Sequence, residues 1–549
     1  MAPGRPKNIQ WENRLAKVVI GSRFSQISPL TLYFVTSAVL IIWVLLSLIF
    51  LPLAEYAFHE DLWEHSAALK EWSKNLWNPR NPHLDIDTGS PRYMPYFFGL
   101  VILMKLFGIG ALPALKVGAL LNIVGFVIGV YVFFRAYFRS EWAPLLGLIV
   151  LLTVWGTGWR HSNEYQLRTL FYIASYPSMF AFALSLVSLW MGVKVLRGEG
   201  RKIASFACLP VLFALIFLSH PLTCVFALGC VGILIVTEAQ AKQTDRMILA
   251  MAPLIGLAVA ELWPYFSVWG VALGGVGTGS MDFANADPGG RASLALAAVW
   301  QSIFYDVRIL YRLGPLLVGV VCVLALVRRR VDWFIVLGAT SMLGIYFSRY
   351  VIFQDLPVWV TGRFLLFATF FLHMAFVAVL LRSGPYWQLV MSRNEVGRRA
   401  RFWNSGLAVL VSGSVIWSGA FATAHFMYSM IWKKPVGEIL RPIVNVLPEN
   451  SIVLAEALVA WPLPTYSGKT VALYHFNPMV SDQAQRAASV LKFFDGSTSN
   501  AYRVSMMRRY KVTHVLIDVK QTPQSIMSFL RSTSTVVIRH RDYTLMKIN

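Results

Sequence analysis

Long apolar runs separated by short polar connections dominate the chain. They cover residues 30–53, 113–134, 142–158, 170–193, 203–219, 222–238, 248–267, 311–327, 331–348, 364–382 and 403–428, the third and eighth being short. A helix rises about 1.5 Å per residue and a bilayer core is about 30 Å thick, so about 20 apolar residues cross it. The pattern predicts about eleven membrane-crossing helices, with thirteen as the upper limit. One further apolar run, Tyr93–Phe107, fits either a crossing or an interfacial helix.

The basic residues settle that choice. Lys and Arg concentrate in cytoplasmic connections. With Tyr93–Phe107 kept on the outer surface, Arg5/Lys7/Arg14/Lys17/Arg23, Arg135/Arg139, Lys194/Arg197/Arg201/Lys202, Lys242/Arg246, Arg328–Arg330 and Arg382/Arg393/Arg398/Arg399/Arg401 all fall on one side. A crossing Tyr93–Phe107 would destroy this agreement. The expectation is a cytoplasmic segment 1–29, a transmembrane domain 30–432 with long outer loops 54–112 and 268–310, and a tail 433–549 on the outer side. The first run is too long for a cleavable h-region and reads as an uncleaved signal anchor.

In the tail the apolar runs shorten to strand length: 451–455, 470–474, 513–519, 535–538 and 543–548. β-branched and aromatic residues alternate with polar ones there, while 482–495 and 499–510 read as helices. The fold class is therefore an all-α polytopic bundle with a small C-terminal soluble α/β domain.

Composition agrees. Of 549 residues 56% are hydrophobic and 14% charged, against about 25% charged in soluble domains. The net charge of +22 follows from topology and anionic lipid contact rather than nucleic acid. Cys208, Cys224, Cys230 and Cys322 all lie in apolar runs and suggest neither disulfides nor a metal motif.

Candidate chemistry gathers on the expected outer side. The first outer loop carries Glu55, Glu60, Asp61, Glu64, Glu71, Asp85 and Asp87. Within His59-Glu60-Asp61-Leu62-Trp63-Glu64-His65, helical spacing puts Asp61 with His65 and Glu60 with Glu64 on shared faces. This suits a general base, or divalent-metal ligands (His59, Asp61, His65); the plain alternative is a solvated acidic helix start. The second outer loop holds Arg160-His161-Ser162-Asn163-Glu164, with Glu164 expected to face the same cavity as Asp61. His220 stands in a tight Ser219-His220-Pro221 turn, as a site residue or a cap. Arg349, Tyr350, Asp355 and Arg363 flank late spans on the side where positive charge runs against the topology bias, as a phosphate ligand would require. The glycines at 274, 275, 277 and 279 have neither the strand nor the GK[ST] of a nucleotide loop; with 268–310 they read as a lid. No GxSxG is present.

Taken in order, these segments resemble the polytopic GT-C glycosyltransferases. The carriers are Glu60-Asp61-x-x-x-His65, then Ser90-Pro91-Arg92-Tyr93-Met94-Pro95-Tyr96, Glu164, Ser219-His220-Pro221-Leu222-Thr223 and Gly362-Arg363-Phe364. The tail adds Val453-Leu454-Ala455 and Arg509-Tyr510-Lys511-Val512-Thr513-His514-Val515-Leu516-Ile517, similar to the α/β domain of many bacterial members. Two departures stand out. The acids run Glu60-Asp61 where protein O-mannosyltransferases have Asp-Glu, and the WWD signature of oligosaccharyltransferases is absent, which sets that activity aside.

The resemblance implies an inverting transfer of sugar from a polyprenyl-phosphate carrier to a glycan, lipid or protein hydroxyl, at the outer face of a bacterial inner membrane. It assigns Asp61 as base with Glu60 the alternative. Glu164 orients the acceptor or shares a divalent metal with Asp61. Arg363, Arg349 and His220 hold the phosphate, and His65, Tyr93 and Arg160 line the substrate site. Rival readings are a flippase or transporter of lipid-linked saccharide and a polymerase or ligase of O-antigen type.

Overall fold

The computed structural model describes residues 28–50, 60–155, 165–199, 202–271, 308–348, 358–390 and 435–549, apart from 168 and 331, with a few isolated positions besides. In chain order the first helices are α1 (Pro29–Phe50), α2 (Leu62–Lys74), α3 (Pro95–Phe107), α4 (Ala111–Phe138), α5 (Ala143–Thr153), α6 (Leu170–Ile173) and α7 (Pro177–Leu196). They continue as α8 (Lys202–Ser219), α9 (Pro221–Thr237), α10 (Gln243–Glu261), α11 (Arg308–Arg329), α12 (Trp333–Ser348) and α13 (Val358–Val390). Among the described residues α1, α4, α7 and Arg363–Arg382 of α13 are long and apolar enough to cross a bilayer, and shorter apolar helices pack between them. The expected run 403–428 falls almost wholly outside the described residues.

About one third of α1 is buried, against nearly three quarters of the apolar part of α13. α1 is therefore a rim helix whose exposed Phe34, Val39 and Phe50 suit lipid, and α13 is central. Around α13 the core is aromatic: Phe182, Phe226, Phe370 and Phe371 interlock, and Tyr165 stacks on Phe182 at 3.8 Å. The α12–α13 crossing is tight at Gly338, where any Cβ would overlap the Phe371 ring. Gly338→Ala should therefore destabilise the bundle by about 1–3 kcal/mol through overpacking, measured as a lowered thermal unfolding midpoint in detergent.

The run expected to form one helix over 170–193 is split into α6 and α7. Pro177 has no N–H to continue a ladder. The carbonyls freed at the break are recovered by Asn122 of α4, whose Nδ2 donates to Ala174 O (2.8 Å) and Tyr176 O (3.3 Å), and by Tyr96 of α3, whose hydroxyl donates to Ser175 O at 3.0 Å. Such groups must be satisfied within the protein where water is excluded.

α3 does not cross. Its 13 residues span about 20 Å. Its start packs on α4 at Asn122, and its far end turns through Gly108 (φ 65°) straight into the start of α4. It thus runs back along the N-terminal part of α4, near where Lys116 pairs with Glu55 just past α1. At the opposite end of the bundle the helix ends are tied by Arg139–Glu199 (2.8 Å), Arg197–Glu238 (2.8 Å) and Arg382–Asp332 (2.6 Å).

The tail contains α14 (Val436–Val446), α15 (Ala457–Ala460), α16 (Leu463–Tyr466), α17 (Gln483–Phe493), α18 (Asn500–Arg509) and α19 (Gln524–Thr533). Its strands are β1 (Ile452–Leu454), β2 (Lys469–Thr470), β3 (His514–Asp518), β4 (Ser534–His540) and β5 (Tyr543–Ile548), in the order β2-β1-β3-β5-β4. β1 pairs in parallel with β2 and β3; β5 pairs antiparallel with β3 and β4. The strand expected over 470–474 stops at Thr470, and the chain bends inward with Val471, Ala472 and Leu473 buried.

The connection between α2 and α3 completes this sheet. Leu84 bridges to Thr470 in parallel, and Thr470 N–H donates to His83 O at 2.7 Å. α2 lies against the same domain. Lys469 Nζ meets Glu71 (2.9 Å) and donates to Asn81 O (2.6 Å) and Pro82 O (3.0 Å), while Ser66 and Thr465 hydroxyls are 2.6 Å apart. Half-buried and multiply bonded, Lys469 holds loop and tail together; Lys469→Met should make the 433–549 segment more sensitive to limited proteolysis than in the wild type.

Candidate active site

Asp61 is the residue before α2, with φ −62° and ψ −17°. An aspartate in that place usually accepts a hydrogen bond from the helix's first N–H groups, but the Asp61 side chain makes none. Its Oδ1 instead lies 3.3 Å from His475 Nε2 of the tail, with 38% of the Asp61 side chain still open. Burial works to raise the Asp61 pKa, but His475, Arg92, His65 and Arg363 oppose it and hold it below the usual carboxylate value. Arg92, Arg363, His65 and His475 thus lie around one carboxylate.

Glu60 has different partners. Tyr176, at the start of α7, donates its hydroxyl to Glu60 Oε2 at 3.2 Å, and Trp461 Nε1 donates to Glu60 O at 3.2 Å. Glu64, one turn on, is buried and accepts from Arg92 Nη2 at 2.7 Å. Burial would favour the neutral guanidinium, yet Glu64, Asp61 and Tyr176 raise the Arg92 pKa and keep it charged. Arg92 Nε finds no partner among the described residues.

His220 caps α9: Thr223 N–H donates to its Nδ1 at 3.1 Å. With Nδ1 accepting, a neutral imidazole carries its proton on Nε2, a tautomer assigned from the bonding pattern. That Nε2 lies 3.4 Å from Arg363 Nη1 at the start of α13. Two donors then face one space, an arrangement an anionic oxygen would satisfy.

The structure therefore brings Asp61, His65, His220 and Arg363 into one electrostatic cluster, with Glu60 beside Asp61. Two expected substrate contacts sit deeper than the sequence suggests. His65 is buried between Phe97 and Tyr176, at 5.0 and 5.2 Å between ring centroids, and backs Asp61 rather than lining an open surface. Tyr93 is fully buried, its hydroxyl donating to Arg80 O and its ring against Trp72, so it braces the loop instead of facing substrate. Arg160, Glu164, Arg349 and His59 lie outside the described residues. Arg92, Tyr176 and His475 were not singled out from the sequence. Arg92 carried a usable signal, since it too is a basic residue on the side expected to be poor in them. His475 carried none.

Burial, with Arg92 beside it, pushes the His65 pKa down to about 3 from an ordinary 6.5. The unfolded chain then binds the proton and the folded chain does not, so stability falls as pH drops from 6.5 towards 3. His65→Phe should flatten the acid side of a plot of unfolding midpoint against pH.

The expected metal ligands His59 and Glu164 lie outside the described residues. No three His, Cys, Asp or Glu residues among them converge on a common point, and Asp61 already has two guanidiniums and His475 as neighbours. No step below runs through a metal.

No protein-family model and no curated protein matches this sequence. Solved structures do. The archaeal oligosaccharyltransferase AglB from Archaeoglobus fulgidus, in complex with an inhibitory peptide and dolichol-phosphate, superposes with a TM-score of 0.54 at 12% identity, over 94% of this chain and 73% of that one. The arabinofuranosyltransferase AftD from Mycobacteria gives 0.55 at 14% identity, over 94% of this chain but 40% of its own length. The chain has the GT-C fold. In this fold the cluster lies at the bundle end where α2, α3 and the tail meet, away from the Arg197–Glu238 and Arg382–Asp332 end.

Proposed function

We propose that this protein is a membrane glycosyltransferase that moves a sugar from a polyprenyl-phosphate-linked donor to an acceptor hydroxyl on the periplasmic side of a bacterial inner membrane, with inversion. The observation that carries the reading is the convergence of Asp61 with Arg363 and His220 at one end of a GT-C bundle. Glycosyl transfer passes through an oxocarbenium-like state and needs a base for the hydroxyl proton and a cation for the departing phosphate. Asp61 takes the first role, with Glu60 the alternative. Arg363 and the Nε2–H of His220 take the second, with Arg92 adding positive charge and Arg349 expected beside them.

In the step itself the acceptor oxygen bonds to the anomeric carbon as the carbon–oxygen bond to phosphate breaks. The electron pair leaves with the polyprenyl phosphate, and the hydroxyl proton passes to Asp61. The low pKa keeps Asp61 ionised but makes it a modest base, so the proton moves late, once the new bond has acidified the hydroxyl. Glu164 is assigned to orienting the acceptor. The AglB structure contains dolichol-phosphate, which supports a lipid phosphate as this chain's donor chemistry.

Purified protein in nanodiscs, given polyprenyl-phosphoryl sugars and candidate lipid, glycan and peptide acceptors, should release free polyprenyl phosphate together with glycosylated acceptor. A flippase would move intact donor across the bilayer, and an O-antigen-type polymerase would require diphosphate-linked oligosaccharide.

A further inference from the structure

The tail reaches the site with one side chain, His475, and the surrounding contacts fix that side chain tightly. Its ring meets the edge of Trp461 at 5.0 Å and of Tyr474 at 4.8 Å, and Gln483 Nε2 donates to its carbonyl at 2.9 Å. Trp461 is buried, stacked at 4.3 Å on the buried His83 of the first outer loop, and bonded to the Glu60 carbonyl. The platform that holds the histidine thus also holds the backbone next to Asp61. Side-chain openness changes across this assembly: His475 and Asp61 keep 33% and 38%, while the stack behind them is closed.

Asp61 needs such a partner. Its helix gives the carboxylate no capping bond, so no such bond turns one oxygen towards the acceptor. We propose that His475 is a positioning residue for Asp61: its Nε2 holds Oδ1, leaving Oδ2 aimed at the acceptor hydroxyl, so that the acceptor side is built jointly by the first outer loop and the tail. This rests on the glycosyltransferase reading above. It also explains the bend after Thr470, which carries the chain from the sheet edge to Asp61 rather than continuing β2.

The test compares wild type, His475→Phe and His475→Gln in the nanodisc assay. Phe keeps the ring contacts with Trp461 and Tyr474 but removes the N–H; Gln restores an N–H donor of similar reach. A misdirected catalytic group can cost about 100-fold, so His475→Phe should lose about 10- to 100-fold in kcat with the KM for lipid donor unchanged. His475→Gln should regain most of that loss. Equal activity of His475→Phe and wild type overturns the proposal, as does a loss that Gln fails to rescue or one carried by donor KM. An inactive wild type across all donors overturns the transferase reading itself, and this inference with it.

Discussion

Asp61→Asn should abolish sugar transfer, with kcat lower by about 10²–10⁴-fold, the usual contribution of a positioned acid or base. The change is nearly isosteric and removes no capping bond, because the Asp61 side chain makes none. Expression, elution profile and unfolding midpoint should therefore stay close to wild type. Glu60→Gln should cost far less, since Tyr176 can still donate to the remaining carbonyl oxygen. The pH profile adds a second check. His475, Arg92, His65 and Arg363 outweigh burial and depress the Asp61 pKa, so the wild-type rate should hold through neutral pH and decline only as acid protonates the carboxylate. Full transfer by Asp61→Asn would reject the assignment outright.

Arg363→Gln should lower kcat/KM by about 10²–10³-fold, the scale found when a preorganised donor to a developing oxyanion is removed. The KM for lipid donor should rise as well, because the guanidinium meets the phosphate before and during departure. Inhibition by added polyprenyl phosphate should weaken in parallel. The His220 cap on Thr223 does not depend on Arg363, so the start of α9 should survive. Arg363 is also among the charges that hold the Asp61 pKa down. Its removal should move the acid limb of the rate profile to higher pH, a shift absent if Arg363 only packs at the membrane boundary.

Much of the bundle was legible because a bilayer demands long apolar runs, and those runs stand out in one dimension. The exception over 170–193 is instructive: Ala174 to Tyr176 is apolar enough to look continuous, and it takes Asn122 and Tyr96, both far away in sequence, to make the break tolerable. The acids at 60 and 61 and the arginine at 363 were legible because charge at a membrane boundary is costly and needs a reason. Arg92 was hidden inside a Pro/Tyr-rich stretch that read as the approach to a helix, although the charge asymmetry used for Arg363 applies to it equally. His475 was invisible: a single histidine after a short apolar run has no periodic pattern. Its importance comes from a contact with a residue more than four hundred positions earlier. Tyr93 and His65 were legible as important but not as buried, since an aromatic or imidazole ring serves equally well as a brace or a ligand.

The strand edge at Thr470 is covered by Leu84, and Thr465 is bonded to Ser66 across 399 positions. During synthesis the segment that bears Asp61 emerges first and must wait for nearly the whole polypeptide to be inserted before its structural complement arrives. Ribosome-stalled or prematurely terminated chains would thus carry every one of the early charged groups in an unassembled, catalytically silent form. On the proposed transferase reading, the order of translation itself would keep the site inert until the 433–549 segment has been made and docked.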